Sequence, residues 1–392
     1  MRMPISRTCP FTVPPEYARL RGEDPVTRVS LPSGDEAWLV SRYQDVRTVL
    51  SDPRFSIDAT RPGYPRMRAG AEPPPRRRPF LDTDPPEHVT YRRMLNGEFT
   101  VRRIAALRPE ISQVVDDLLD AMVAGGSSAD LVAAFALPLP SLVICRMLGV
   151  PYADHEFFES RTRTALAGDV TAAQSSEAMG QLFEYLEKLF AQRQDQQTED
   201  LIGKLADGPV AAGALDRRGA VGMILLLLVA GHETTANMIS LGMLTLLREP
   251  QLCDELRRQP ERMPAVVDEL LRYHSVADSV AVRVAVADVE LGGRLIKAGE
   301  GVVTLGLSAN HDDDVFDQPH RFDPGRSTRH HLAFGYGPHQ CIGQNLARAE
   351  LEIAYHRLLT RLPNLHVTAP TDELPCKHQS QVFGVERLPV QW

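Results

Sequence analysis

The chain has 392 residues, 43% hydrophobic and 24% charged, which suits a globular protein with a large buried core. Its formal net charge of −8 gives bulk electrostatics no reason to attract nucleic acid or an anionic membrane. The cysteines, Cys9, Cys145, Cys253, Cys341 and Cys376, are odd in number, widely spaced and without a C-x-x-C pair, which argues against a disulfide framework or a structural zinc site. The N-terminal "MRMPISRTCPFTVPPEY" has no apolar signal core, so the expectation is a reduced, soluble, cytoplasmic protein.

In chain order, "AWLVSRY" (Ala37 to Tyr43) alternates as a strand does. "RAGAEPPPRRRPFLDTDPPEH" (Arg68 to His88) must be a loop, because its prolines exclude both helix and ladder pairing. Long loops of this kind are often lids or binding loops. From Val101 onward helical periodicity dominates. "RPEISQVVDDLLDAMVAG" puts Ile111, Val114, Val115, Leu118 and Leu119 on one face and stops at Gly125–Gly126. "GQLFEYLEKLFAQRQ" does the same with Leu182, Phe183, Leu186, Leu189 and Phe190.

The longest candidate follows Asp216, a plausible N-cap, and its pattern ends at Pro250. A helix of roughly 32 residues would be about 48 Å long and cross a whole domain. It is apolar nearly all round in its middle, so it should be buried. Its greasiest run, Val221 to Gly231, is too short to span a bilayer and leads directly into His232 and Glu233. "VAVRVAVADVELGGRLIKAG" (Val280 to Gly299) alternates, with a hairpin at Gly292–Gly293. The fold class is mainly α with small β-sheets. With no repeat and no composition break, residues 1–392 read as one domain.

"HLAFGYGPHQCIGQNLARAELEIAYHRLL" (from His331) surrounds Cys341 with Gly335, Gly337 and Gly343 and then launches a helix. A lone cysteine is most often a small buried hydrophobe. The glycines change that reading, because they permit unusual backbone conformations and the close approach of something flat. A helix N-terminus favours an anion, and hence a thiolate. A thiolate against an open flat face is what an iron porphyrin needs as axial ligand.

"FGYGPHQCIG" resembles the haem-binding loop of the cytochrome P450 family, F-x-x-G-x-H/R-x-C-x-G, and matches it at Phe334, Gly337, His339, Cys341 and Gly343. The resemblance implies the P450 fold, with its long central helix over a haem b (iron protoporphyrin IX), and Cys341 as the metal ligand. "AGHETT" (Ala230 to Thr235) resembles the family's oxygen-activation motif. It implies a widened helix turn, with Glu233 as an acid that keeps its proton and Thr234 as a hydroxyl relay. "ELLR" resembles the family's E-x-x-R pair, with "RFDPGR" supplying the third member. On that basis Glu269, Arg272 and Arg326 are structural and lock the scaffold behind the cysteine loop. His88 and Arg92, four apart on one helical face, join His339 and Arg283 as the implied donors to the haem propionates.

The resemblance also outlines a substrate pocket: Ile57 to Phe80, Leu166 to Val170, Leu227, Ala230, Val276 to Val282 including Val280, and Val382 with Phe383. These walls favour a hydrophobic small molecule, with dioxygen as co-substrate. No flavin or nicotinamide fingerprint is present, so electrons are expected from a separate ferredoxin and ferredoxin reductase. Arg93, Arg102, Arg103 and Arg348 are the expected docking face of a monomer. A haem gas sensor or carrier, or a peroxygenase or coupling enzyme, are the alternatives. "NHDDD" (Asn310 to Asp314) and His330–His331 read as structural.

Overall fold

The computed structural model describes residues 2–3, 7–74, 77–193, 196, 198–278, 281–378 and 380–392. Its axis is the helix Arg217–Leu246, 30 residues long, which is about 45 Å. The Asp216 carboxylate caps it by accepting the Gly219 N–H at 2.7 Å. It ends four residues before Pro250, which opens the next helix, Pro250–Arg258, at its first position. By length and composition this helix could cross a membrane, yet its apolar window is mostly buried inside the protein. Helices Pro138–Leu148, Ala172–Arg193, Met263–His274 and Gln344–Arg361 pack around it. That packing removes its apolar surface from water on nearly every side.

The helix Val101–Ala124 buries Ile111, Val114, Val115 and Leu119, with Leu118 half-buried at the edge of the stripe. In Ala172–Arg193, Leu182, Leu186, Leu189 and Phe190 are buried and Phe183 is half-buried. The main sheet has five strands in the order Val26–Ser30, Glu36–Val40, Gly301–Thr304, Val282–Ala285, Phe55–Ser56. Only the second and third run parallel. The expected strand Ala37 to Tyr43 is shorter than its pattern. Tyr43 begins the helix Tyr43–Ser51, because its N–H is taken by the Asp312 carboxylate at 2.9 Å. Val289–Leu291 and Arg294–Ile296 form the expected hairpin. Gly292 and Gly293 both have positive φ, as a type I′ turn requires.

Glu269, Arg272 and Arg326 meet as expected. Arg272 grips Glu269 through two parallel bonds of 2.7 and 2.8 Å, and both side chains are fully buried. Arg326 approaches the same carboxylate at 3.4 Å, and the Asp323 N–H donates to it at 2.9 Å. The remaining guanidinium N–H groups of Arg272 go to the carbonyls of Asn310, Pro319 and Arg321. Every guanidinium N–H of Arg272 has an acceptor and both Glu269 oxygens are bonded, so removing one partner strands a buried charge. Glu269→Ala is therefore expected to lose about 3–5 kcal/mol of unfolding free energy in denaturant titration. A loss below about 1 kcal/mol would show that the cluster relaxes without it.

Candidate functional site

The cysteine loop is held by its backbone. The Cys341 N–H donates to the Phe334 carbonyl at 2.9 Å. Gly335 and Gly337 have φ of 70° and 74°, which side chains with a Cβ rarely adopt. A Cβ on Gly337 would also come within 2.7 Å of the Leu50 carbonyl. Gly343 differs: its φ is −81° and a Cβ there meets only Cys341 Sγ, at 3.9 Å. Its backbone conformation is therefore open to other residues.

Gly343 is the N-cap of the helix Gln344–Arg361, so Cys341 lies just ahead of a helix N-terminus. Although Cys341 is exposed to the cavity, the protein around it keeps bulk water away and pushes the thiol up. The N–H groups of Gly343 and Gln344 and the charges of Arg92 and Arg348 only partly offset this. The helix end favours the thiolate, as expected, and desolvation opposes it more strongly. A bound metal cation would reverse the balance.

Cys341 opens into a cavity of about 370 Å³. Phe334, Ile342, Leu346 and Ala347 belong to the same wall, and Leu227, Ala230, Gly231, Thr234, Thr235 and Met238 line it from the central helix. Val276, Ala277, Ala281 and Ile57 add further apolar surface. At one side stand Arg283 and His339. The His339 ring lies 3.9 Å from that of His88, which stacks on Phe80 at 5.3 Å.

Both ring nitrogens of His88 are buried without a hydrogen-bond partner. Burial and the charges of Arg92 and Arg283 lower its pKa to about 4; burial, His88 and the same two arginines lower that of His339 to about 3. Arg283 is buried and, among the described residues, donates only to the Val282 carbonyl. Arg92 donates to the carbonyls of Gln340 and Pro338, at 2.7 and 3.2 Å. Among the described residues none of these groups has a carboxylate ion-pair partner. Unpaired buried donors next to an apolar slot and a cysteine fit a flat apolar group that carries its own anions, as haem carries two propionates.

Thr234 faces the cavity, and its hydroxyl donates to the Ala230 carbonyl at 2.8 Å. The Thr235 hydroxyl donates likewise to Gly231, at 3.1 Å. The expected widened turn is not found: the helix runs unbroken, and both hydroxyls bond back onto it. Glu233 is buried on another side of the helix. Burial alone would raise its pKa, but the Lys377 ammonium at 2.5 Å, with His232 and Asn237, holds the carboxyl below its ordinary range. The expectation that Glu233 keeps its proton is therefore overturned by an ion pair. Lys377 comes from the distant segment after Cys376 and also binds the Asn237 side chain, at 3.0 Å. No local pattern announces Lys377. Asn237, four residues after Glu233, is legible as a same-face neighbour.

Other expectations shift. Val382 and Phe383 are buried but do not line the cavity. Phe383 lies under the Arg7 guanidinium at 4.2 Å, and its N–H donates to the Val276 carbonyl, one layer behind the wall. Leu166 also lies outside the lining and accepts the Gln381 N–H. Val280 falls outside the described residues. Asp278, unmentioned in any motif, lines the cavity and is bonded by the Tyr17 hydroxyl and, at 2.7 Å, the Leu307 N–H. Arg348 is committed inward, to Asp268 at 2.8 Å and over the Phe334 ring, and Arg103 pairs with Glu98. Arg93 and Arg102 are exposed. "NHDDD" is a turn, and no metal-binding cluster occurs among the described residues.

Fold and cavity together fit a haem-binding protein with a cysteine in the cavity wall. The Cytochrome P450 family model matches residues 169–392. Pentalenic acid synthase from Streptomyces avermitilis is 49% identical over 99% of this chain and 96% of its own. Vitamin D3 dihydroxylase from Streptomyces griseolus is 46% identical over 99% and 96%. The crystal structure of mycinamicin VIII C21 methyl hydroxylase from Micromonospora griseorubida superposes with a TM-score of 0.95 at 42% identity, covering 100% of both chains. The chain belongs to the cytochrome P450 family. It is a haem-iron monooxygenase acting on small molecules with dioxygen and redox partners, which sets aside a gas sensor or carrier.

The lowered pKa of His88 has a thermodynamic consequence. Between about 4 and the ordinary 6.5 the unfolded chain takes up a proton that folded His88 refuses, so stability rises with pH across that window and is lost as pH falls through it. The haem-free protein should show a falling Tm over this range, with a smaller slope in His88→Asn. An unchanged slope in that variant would remove His88 from the responsible groups.

Proposed function

We propose that this monooxygenase inserts one oxygen atom into a medium or large hydrophobic natural product, working as a single-domain cytoplasmic monomer over residues 1–392. The observation that carries the reading is the apolar cavity bounded by Cys341 in one wall and Thr234 in the central helix. Relatives named for pentalenic acid and mycinamicin VIII support a secondary metabolite as substrate. The cofactor in this reading is haem b, which when bound supplies the reduction of dioxygen and oxygen transfer to carbon. Cys341 ligates its iron. His88, Arg92, Arg283 and His339 receive the propionates and thereby gain the counter-charge they lack. Phe334 and Gly343 frame the cysteine. Leu227, Ala230 and Val276 orient the substrate. Val382 and Phe383 act on the pocket only by supporting Val276.

Thr234 holds a hydroxyl at the cavity, where its proton can be exchanged. Glu233 serves as an ionised outer station, taking protons from the solvent side through Lys377, whose side chain is mostly buried. Electrons arrive from a ferredoxin and its reductase, docking where Arg93 and Arg102 are exposed.

Two experiments test this reading. Reduced, carbon-monoxide-bound protein should show the red-shifted Soret band of thiolate ligation, lost in Cys341→Ser; an unshifted wild-type band would remove Cys341 as ligand. Thr234→Ala should retain haem and the substrate-induced spin-state change, while product per NADPH falls about tenfold or more as reducing equivalents go to peroxide. Coupling at the wild-type level would exclude the relay role. A spin-state screen of hydrophobic natural products then identifies the substrate.

A further inference from the structure

Tyr336 lies in the cysteine loop between Gly335 and Gly337. The two glycines have φ of 70° and 74°, whereas Tyr336 is extended, at φ −152° and ψ 160°. The loop closes behind it, where the Cys341 N–H meets the Phe334 carbonyl at 2.9 Å. Tyr336 therefore stands at the tip of a closed loop of which Cys341 is one end. Its neighbours have no side chains to pack, so the Tyr336 ring is the handle by which the tip can be held.

The helix Tyr43–Ser51 holds that handle. The Arg47 guanidinium lies 4.2 Å from the centroid of the Tyr336 ring, and its Nη2 donates to the Tyr336 hydroxyl at 2.7 Å. The same guanidinium lies 5.6 Å from the centroid of the Tyr43 ring. Tyr43 gives its N–H to the Asp312 carboxylate and its hydroxyl to the His330 carbonyl, at 2.9 and 2.6 Å. Leu50, later in the same helix, presents the carbonyl against which Gly337 is packed. One short helix thus grips the chain just before the loop, at His330, and again at its tip, at Tyr336 and Gly337. Val46 and Leu50 of this helix line the cavity together with Tyr336.

Arg47 differs from Arg348, the arginine on the other side of the loop. Arg348 covers Phe334 and is bound to the Asp268 carboxylate. Arg47 has no carboxylate partner among the described residues; its side-chain hydrogen bond goes to Tyr336, and its Nε is buried without an acceptor. A guanidinium without a counter-ion is held by aromatic faces and by an oxygen that accepts from its flat fork. Tyr336 offers Arg47 both.

We propose that Arg47 is a positioning residue for the cysteine. By clamping Tyr336 it fixes the tip of the loop and keeps the Cys341 sulfur in its place in the cavity wall. The proposal rests on the reading of Cys341 as the iron ligand. Arg47 acts through Tyr336 and the loop backbone.

The test has one arm without haem and one with it. In the haem-free protein, the backbone amides of residues 335–337 and 339–341 should exchange with D2O roughly five- to tenfold faster in Arg47→Met than in wild type, while those of the helix Met263–His274 keep their rate. Tyr336→Phe, which keeps the ring beside the guanidinium and loses only the hydroxyl, should fall between the two. Arg28→Met removes a guanidinium from the Trp38 ring of the main sheet and should leave exchange in the loop unchanged. In the haem-loaded protein, the reduced carbon-monoxide complex of Arg47→Met should lose its red-shifted Soret band to the unshifted form several-fold faster than wild type. Arg47→Lys, which keeps the charge but not the flat fork, should recover only part of this. Wild-type exchange at the loop in Arg47→Met overturns the proposal. So does equal acceleration throughout the protein, or acceleration of the loop in Arg28→Met, since either would be a general loss of stability. If Arg47→Met does not fold, Tyr336→Phe decides: wild-type exchange together with a wild-type band in that variant overturns the proposal. A wild-type protein without the red-shifted band would overturn the reading of Cys341 itself, and the proposal with it. The exchange arm needs no haem, so the two failures are distinguishable.

Discussion

Cys341 stands exposed to the cavity on a loop that ends at a helix N-terminus, and much of this structure holds that loop in place. Cys341 sits ahead of a helix with backbone N–H groups directed to it, yet desolvation still outweighs them. The scaffold's part is to hold the sulfur in the cavity wall. The loop is gripped from several directions. Gly337 lies against the Leu50 carbonyl, Arg348 covers Phe334, and Asp268 gathers Arg348 and His331. Behind them the Glu269–Arg272–Arg326 cluster ties the segment Asn310 to Arg326 to the helix Met263–His274.

Three sets of buried ionisable groups differ in how far they are satisfied, and the difference follows their place in the fold. In the Glu269 cluster both carboxylate oxygens and every Arg272 N–H are bonded, which makes it rigid. The Glu233–Lys377–Asn237 set is paired but bridges two segments far apart in sequence, so it is sensitive to the packing of the C-terminal stretch against the central helix. Gly384 belongs to that packing: a Cβ there would strike the Asn237 side chain. The His88, Arg283 and His339 group is the least satisfied, and it borders the cavity. Buried donors without acceptors are uncommon in proteins, and their concentration at one edge of an apolar slot is the electrostatic outline of a ligand with anionic substituents.

The sequence by itself determined the elements whose chemistry is local. The cysteine loop is legible because positive φ at Gly335 and Gly337 leaves a glycine signature. The central helix is legible because Asp216 caps an unbroken apolar run. The Glu269–Arg272 pair follows from helical spacing, and Gly292–Gly293 marks its hairpin through turn geometry. Spacing within one helix is set by 3.6 residues per turn, so such statements need no knowledge of the rest of the molecule.

Only the tertiary structure decided the states of the ionisable groups and the true walls of the cavity. Whether Glu233 keeps its proton depends on Lys377, 144 positions away in sequence. Whether Cys341 ionises depends on how much water the fold removes. Val382 and Phe383 belong to an apolar segment near the pocket, but the placement of Arg7 and Val276 sets them one layer back. Electrostatics and burial are sums over neighbours in space. Those neighbours come from segments whose separation along the chain carries no information about their distance once the core has closed.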